Sequence, residues 1–358
     1  MVMSTAHDKP NRKPDCIIID TNIWRSALLL KNPLGVALAY TLGRQGGFIG
    51  LPEVVERELT DQIIEEGLEQ AVKLVDSYER IKTLTDAVWD APVPTKAELE
   101  KKVEERLAEL KPILVRVAFT VEHASAALHM VMRKLAPNSK NNQQLKDSAI
   151  WQAVLALAQN YSAYLVSADK GFFLDRDTAK GLAPNLLEDC QKAGVTIAVR
   201  SDLASSLKAI TSDVPPFDHN RLVPLITDSL MPHLRAEAAR HKFEIGEVLD
   251  TNIEAFRLPQ PKRLAVDYTV ITSFNIDPSV IMDGRTDCRA TTRGSCYYEP
   301  ETNVISGELL WIIKFEWNYP FGGKGTYATT FGSEDPLLPF PPPLNWGVWK
   351  NQSLISIS

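Results

Sequence analysis

The stretch that decides the fold of this chain is Cys16-Ile17-Ile18-Ile19-Asp20-Thr21-Asn22. A run of apolar, mostly β-branched residues predicts a buried strand, and Asp20 ends that run. A second run, Tyr164-Leu165-Val166-Ser167-Ala168, precedes Asp169 in the same way. Both carboxylates therefore follow the carboxyl ends of predicted parallel strands, and that edge of an α/β sheet is where active sites are built.

Two further acidic residues fall on predicted helices. Leu51-Pro52 closes a short strand that begins at Phe48, and proline suits the first turn of the helix that follows. This helix carries Glu58 beside the apolar Leu59. Asp147 lies in the first turn of another helix, three residues before Ile150. Because an unpaired buried carboxylate is costly, acids that converge from all four places predict a divalent metal site.

Each acid also has a structural interpretation when it is taken alone. Asp20 and Asp147 are suitable helix caps or partners of a helix dipole, Glu58 is typical of a solvated helix face, and Asp169 is typical of a turn. These separate interpretations do not explain why two acids follow strands and two lie on helices in this order. The joint pattern favours the metal site.

These residues resemble the PIN-domain nucleases over roughly residues 15–200. The similar segments are Ile18-Ile19-Asp20-Thr21-Asn22, Leu51-Pro52 before Glu58-Leu59, Asp147 at a helix start, and Ser167-Ala168-Asp169-Lys170-Gly171-Phe172. The last segment is similar to the Ser/Thr-x-Asp-x-x-Phe pattern of that family. The resemblance implies a three-layer α/β domain with a parallel central sheet.

The chain departs from the family pattern in the long interval between Glu58 and Asp147. A long helical insertion, at about residues 67–140, is expected to fill this interval. The nearby acids Glu53, Glu56 and Asp61 remain alternatives to Glu58 as the second acidic position.

Phosphodiester hydrolysis requires an activated water and stabilisation of charge on the attacking and leaving oxygens, and divalent cations supply both. Mg²⁺ and Mn²⁺ prefer the oxygen ligands that Asp and Glu offer. We assign Asp20, Asp147 and Asp169 as ligands, direct or through water. Glu58 is assigned as a further ligand or as the group that orients the nucleophilic water.

Supporting roles are expected for three neighbouring polar residues. Thr21 or Ser167 is expected to donate a hydrogen bond that fixes a carboxylate, and Asn22 to hold the loop after the first strand. The alternative is that Thr21 and Asn22 only begin a helix.

The formal net charge of −6 argues against a strong nonspecific grip on nucleic acid. Most of the acidic excess lies after residue 211, so a local phosphate-binding surface in the first part of the chain remains open. The candidates are Arg133, Lys134, Lys140 and Lys146. The alternative is an ordinary solvated basic turn.

Other site classes find no support in the sequence. There is no Gly-rich phosphate loop, and the six His and four Cys residues show no metal-ligand spacing. No stretch approaches the roughly 20 apolar residues of a membrane span, and the first residues lack the apolar part of a signal peptide. We therefore expect a cytoplasmic protein without a membrane partner.

The expected organisation begins with a disordered lead-in, residues 1–14, and a PIN-like domain, residues 15–211. The apolar spacing in residues 95–135 predicts one or two long helices, divided at Pro112. These helices are expected to form a wall over the cleft or a dimer contact. A linker, residues 212–220, precedes a smaller β-rich α+β module, residues 221–358. Turns are predicted at Asp283-Gly284 and Gly322-Gly323-Lys324-Gly325, and residues 339–346 form an irregular tail.

The sequence thus predicts a metal-dependent endoribonuclease, with RNA preferred over DNA only because the resemblance implies it. The β-rich module is expected to regulate, to sense a ligand or to dock a protein partner. A non-catalytic PIN-like scaffold and a metal-dependent nuclease acting on DNA are the alternatives. A toxin, a defence effector and a processing enzyme all remain open as biological settings.

Overall fold

The computed structural model describes residues 13–85, 93–140, 143–211, 215–276, 286–319 and 324–329. Several predictions concern residues outside these ranges: nearly all of the lead-in, residues 212–214 of the linker, the Asp283-Gly284 turn, Gly322 and Gly323, and the tail. The chain divides into two compact units. The first comprises residues 1–29, 38–69 and 94–210, and the second comprises residues 30–37, 70–93 and 211–358. The domain boundaries proposed from the sequence stay a prediction.

Five strands form a parallel sheet in the first unit. They are β1 (Asp15–Ile19), β2 (Phe48–Pro52), β3 (Leu114–Val117), β4 (Ser162–Val166) and β5 (Ile197–Arg200). Each neighbouring pair in the order β3-β2-β1-β4-β5 is parallel. Ile17, Ile18 and Ile19 are fully buried, as expected of a central strand that is covered on both faces.

Helices connect these strands. They are α1 (Thr21–Ser26), α2 (Pro33–Gln45), α3 (Glu53–Thr85), α4 (Lys96–Leu110), α5 (Val121–Arg133), α6 (Leu145–Ala158), α7 (Pro184–Ala193) and α8 (Leu203–Ile210). In α6, Ile150, Trp151 and Val154 are fully buried, because this helix is apolar on most of its sides. The parallel sheet with helices confirms the predicted fold class of this part of the chain.

The strand order opens a crevice at the end of β1. The chain runs from β1 outward to β2 and β3 on one side, and β4 and β5 then lie on the other side. The direction of winding therefore reverses between β1 and β4, and the loops that follow them diverge. The two strands end level, because Ile19 pairs with Val166. Asp20 and Ser167 follow directly.

The helical prediction for residues 95–135 was wrong at one place. Helix α4 ends at Leu110, a short 3-10 turn carries Pro112, and β3 then joins the sheet beside β2. Proline stops the helix, and Leu114–Val117 is rich in residues that favour strands. Their apolar spacing also fits a helix, which explains the misprediction.

Pro52 closes a strand, as predicted, and directly precedes the helix instead of lying in its first turn. It is the last residue of β2, where it pairs with Val117, and α3 begins at Glu53. The helix then runs without interruption to Thr85, so its second half forms part of the predicted insertion. The boundaries of that insertion, residues 67–140, stay a prediction.

After residue 211, the second unit consists of a helix and an antiparallel sheet in the described ranges. These elements are α9 (His219–Arg240), β6 (Phe243–Arg257), β7 (Leu264–Ile276), β8 (Thr286–Glu299), β9 (Val304–Asn318) and β10 (Lys324–Thr329). The strands follow one another in the order β10-β9-β8-β7-β6. Leu222, Ile226, Leu230 and Leu234, spaced one helical turn apart, are buried in the same hydrophobic cluster as one face of the sheet. The predicted β-rich part is thus confirmed.

The sequence predicts strands at residues 264–271, 296–298 and 309–317, so β6 and β10 were not predicted. Most residues of β6 before Ile253 are exposed, so that strand lacks a clear apolar alternation. Lys324 and Gly325 belong to β10 rather than to the predicted turn. Gly325 lies opposite Trp317, and a side chain there would overlap the indole ring. The glycine therefore makes room for an aromatic neighbour in the sheet.

Among the helices of the described ranges, none is both long and apolar enough to cross a membrane.

Candidate active site

Asp20 lies at the centre of the crevice between β1 and β4. Its carboxylate accepts one hydrogen bond from the Thr21 backbone N–H at 2.7 Å and another from the Ser167 hydroxyl at 2.8 Å. The residue is 1% exposed and serves as the N-cap of α1. Burial raises the pKa of Asp20 above its usual range, whereas Ser167, the Lys146 charge and Thr21 lower it.

Ser167 connects the ends of the two central strands. Its fully buried hydroxyl donates to Asp20 and accepts a hydrogen bond from the Asp169 backbone N–H at 3.0 Å. Asp169 in turn caps a short 3-10 turn, because its carboxylate accepts the Gly171 N–H at 2.6 Å. The supporting role predicted for Ser167 agrees with these contacts.

Asp147 enters the crevice from the first turn of α6 and is 2% exposed. Burial raises its pKa to about 8, and the charges of Asp20 and Asp169 act in the same direction. Lys146 opposes this shift, and a side-chain hydrogen bond with Asp169 favours the protonated form of Asp147. Burial, the two neighbouring carboxylates and this hydrogen bond thus all favour the protonated form of Asp147.

Asn138 holds the start of α6 in place. Its amide group donates to the Ser148 hydroxyl at 2.7 Å and to the Leu135 carbonyl at 3.1 Å. Its carbonyl oxygen accepts the Gln144 N–H at 2.7 Å. Gln144, the N-cap residue, makes no side-chain capping bond of its own. The sequence analysis did not single out Asn138, and its position in a polar loop gave no signal of this contact.

Glu58 lies on α3 and accepts hydrogen bonds from three side chains. The Thr21 hydroxyl donates to Oε2 at 2.5 Å, while the Gln62 amide and the Lys146 ammonium donate to Oε1 at 2.8 and 2.7 Å. The Lys146 Nζ also lies 3.9 Å from Asp147 Oδ1. Gln62 was not predicted, although its position one helical turn after Glu58 is a usable signal.

The donor set has the chemistry that a hard divalent cation requires. The negative charges of Asp20 and Asp169 both raise the pKa of Asp147, so a cation between these aspartates would relieve their repulsion. However, no group of three or more His, Cys, Asp or Glu side chains in the described ranges is arranged to hold a metal ion. The side chains that fit the ion chemically thus do not form a closed coordination cage in this structure.

The remaining predicted residues lie apart from the acids. Asn22 is exposed in the first turn of α1, and Arg133, Lys134 and Lys140 are exposed near the end of α5 and in the following loop. Within the part of the chain that the structure describes, no hydrogen bond or ion pair joins these four residues to the four acids. Among the basic candidates, Lys146 is the one that contacts the acidic centre.

Comparison with known proteins gave one family. Residues 17–172 match the model of the PIN domain, and this range includes Asp20, Glu58, Asp147 and Asp169. No curated protein and no solved structure gave a significant match. PIN domains are generally nucleases that act on nucleic acids and use divalent metals. Given this match and the parallel sheet with its acidic crevice, residues 17–172 of the chain form a PIN domain.

Proposed function

We propose that this chain is a divalent-metal-dependent endoribonuclease whose catalytic residues are Asp20, Glu58, Asp147 and Asp169. The observation that carries the proposal is the meeting of three aspartates at the crevice between β1 and β4, where burial and the charges of Asp20 and Asp169 raise the pKa of Asp147 to about 8. Such a cluster of carboxyl groups is what a cation-dependent nuclease needs in order to bind its metal ion. RNA is proposed over DNA because the resemblance to PIN-domain nucleases implies it.

The aspartates Asp20, Asp147 and Asp169 would hold Mg²⁺ or Mn²⁺. The bound ion would supply an activated water and stabilise charge on the phosphate. Ser167 and the Thr21 N–H keep the Asp20 carboxylate oriented. Asp147 would hold the ion in its deprotonated form, because ligand carboxylates must be deprotonated. Glu58, fixed by Thr21, Gln62 and Lys146, orients the water nucleophile.

A non-catalytic scaffold is the second candidate. One observation favours it: the acidic side chains do not form a coordination cage in the described ranges. In this case the crevice would bind RNA or a protein without cleaving it. Intact acids at all four positions count against this reading, because a pure binding site has no need to bury repelling carboxylates.

Further parts of the proposal concern the rest of the molecule. We propose that the second unit regulates the nuclease, senses a ligand or docks a protein partner, and that Arg133, Lys134 and Lys140 contact the substrate. A cytoplasmic location, a homodimer and a role as a toxin or defence effector remain predictions from the sequence.

Cleavage of end-labelled single-stranded RNA and DNA in Mn²⁺, Mg²⁺ or EDTA tests this function. We expect metal-dependent cleavage of RNA by the native chain, and a loss of about a hundredfold or more in Asp20→Asn and Asp147→Asn, since even partners of metal ligands contribute roughly 10–100-fold. Asp175→Asn is the matched control, because Asp175 is exposed and its positive φ suits asparagine.

Each alternative gives a distinct result in this assay. Preferential cleavage of DNA would replace the proposed substrate with the DNA alternative. Binding of RNA without cleavage under every metal condition would support the scaffold. Cleavage that survives both aspartate substitutions would contradict the assignment of the catalytic residues.

A further inference from the structure

A lysine side chain lies inside the acidic centre. Lys146 precedes Asp147 in the first turn of α6, and its ammonium lies 2.7 Å from Glu58 Oε1 and 3.9 Å from Asp147 Oδ1. Its side chain is 32% exposed, whereas that of Glu58 is 22% exposed. The positive charge also interacts with Asp20. One ammonium is therefore close to three of the four acids.

This contact differs from an ordinary surface ion pair, which contributes little because water screens it. Glu58 is fixed by three donors at once, and its pair with Lys146 is largely covered. By contrast, Lys192 and Glu188 form a pair of similar length on α7, 2.9 Å, with more than 60% of each side chain exposed. Because water screens this pair less, the charge of Lys146 interacts strongly with the carboxylates of the crevice.

The hydrogen bonds of Glu58 determine how well its carboxylate can bind a metal ion. Both of its oxygens accept hydrogen bonds, and the lysine already compensates its charge. A carboxylate in this state is a weak ligand for a further cation, since the cation would have to displace the ammonium. Asp20, Asp147 and Asp169 remain as the carboxylates available for a divalent ion.

We propose that Lys146 is a built-in counter-cation of the acidic centre, which compensates Glu58 and limits the three aspartates to a single, weakly held divalent ion. This inference rests on the proposed metal-dependent function and deepens it, because it assigns Lys146 to control of the metal rather than to the substrate. Lys146 is accordingly a positioning residue, and its effect is exerted through metal affinity.

Mn²⁺ binding, followed by electron paramagnetic resonance of the free ion, tests this inference without any cleavage assay. We expect the native chain to bind a single Mn²⁺ ion, and Lys146→Met to bind Mn²⁺ more tightly by roughly tenfold, because a nearby positive charge is lost while the aliphatic stem is kept. Lys192→Met is the matched control, and its affinity is expected to equal that of the native chain. Two ions bound by the native chain, or unchanged or weaker binding by Lys146→Met, would overturn the proposal.

A double substitution separates charge compensation from direct ligation by Glu58. Glu58→Gln leaves the lysine charge uncompensated, so Mn²⁺ affinity is expected to fall. Adding Lys146→Met removes that charge and is expected to restore affinity to near the native value. If Glu58 were a direct ligand, the double variant would still bind Mn²⁺ clearly more weakly than the native chain, and the inference would be wrong. Circular dichroism spectra of all variants establish that they are folded.

Failure of this inference is distinguishable from failure of the proposed function. Metal-dependent cleavage by the native chain with unchanged Mn²⁺ affinity in Lys146→Met would overturn the lysine role alone. Tighter binding by Lys146→Met without cleavage by any variant would support the lysine role and contradict the nuclease. Absence of Mn²⁺ binding in both the native chain and Lys146→Met would overturn the lysine role whatever the cleavage result.

Discussion

At the residue scale, the chemistry of the crevice follows from the burial of Asp147. A carboxyl group that is 2% exposed and faces two other aspartates is costly to ionise, so its pKa rises to about 8. In the proposed metal centre, Asp147 would therefore be a hydrogen-bond donor without a cation and an anionic ligand with one. Its protonation state and the occupancy of the centre are linked.

This linkage predicts a pH-dependent stability of the metal-free protein. The pKa of Asp147 is higher in the folded than in the unfolded chain, so the folded state binds more protons between about pH 4 and about pH 8. The contribution of Asp147 to stability is therefore lost as the pH rises through this window. We expect the unfolding free energy of Asp147→Asn, relative to the native chain, to increase from pH 5 to pH 8.

Urea unfolding in EDTA at several pH values measures this difference. Subtracting the two proteins removes the common contribution of the histidines and the other acids. Asp175→Asn, at an exposed position, is expected to show a constant difference over the same range. A pH-independent difference for Asp147→Asn would contradict the raised pKa.

At the element scale, the crevice depends on close contacts between loops. Gly171 follows Asp169 in the loop after β4, and a Cβ atom at Gly171 would lie 2.4 Å from the Pro137 carbonyl oxygen. Pro137 precedes Asn138, which fixes the start of α6. The loop that carries Asp169 and the helix that carries Asp147 are thus packed together through a position that only glycine fits.

This contact predicts opposite effects of the same substitution at two glycines. Gly171→Ala is expected to lower the unfolding free energy by about 1–3 kcal/mol, because the backbone of one loop must move. Gly43→Ala, within α2, meets only an ordinary contact at 3.8 Å from Ile113 and is expected to raise stability by about 0.5–1 kcal/mol. Thermal and urea unfolding measure both effects. Equal stability of Gly171→Ala and the native chain would refute the tight contact.

At the scale of the whole molecule, the charge distribution bears on the proposed binding of nucleic acid. The chain has a net charge of −6, and Lys146 is engaged with the acids. The exposed residues Arg133, Lys134 and Lys140 are therefore the proposed phosphate-binding surface. Such contacts release counterions, so they make binding depend on salt concentration.

We expect their replacement by glutamine to weaken binding of single-stranded RNA and to reduce its salt dependence. The slope of log K against log salt concentration is expected to fall by about 2, since each phosphate contact to a single strand contributes roughly 0.7. The measurement uses fluorescence anisotropy with the non-cleaving Asp20→Asn background. Replacing the exposed Lys96, Lys101 and Lys102 on α4 with glutamine is the control. A similar fall in both sets would indicate a diffuse charge effect and would contradict a local surface.

The sequence by itself determined the central strands of the PIN domain and the positions of the acids along them. Asp20 follows a run of isoleucines that can only be buried, and Asp147 begins a helix that is apolar on most sides. These signals are local, because the apolar periodicity that distinguishes a strand from a helix is visible within a short segment of sequence. The family resemblance found in the same segments was confirmed by the match over residues 17–172.

The tertiary structure alone decided which contacts these residues make. Strand β3 was mistaken for helix because its apolar spacing fits both periods, and only its pairing with β2 distinguishes them. Likewise, the sequence placed Lys146 among the basic candidates for substrate binding, whereas folding of α3 against α6 puts its ammonium on Glu58. The pKa of an ionisable side chain and the group it pairs with depend on residues distant in sequence, so no local sequence pattern could have revealed the Lys146–Glu58 pair.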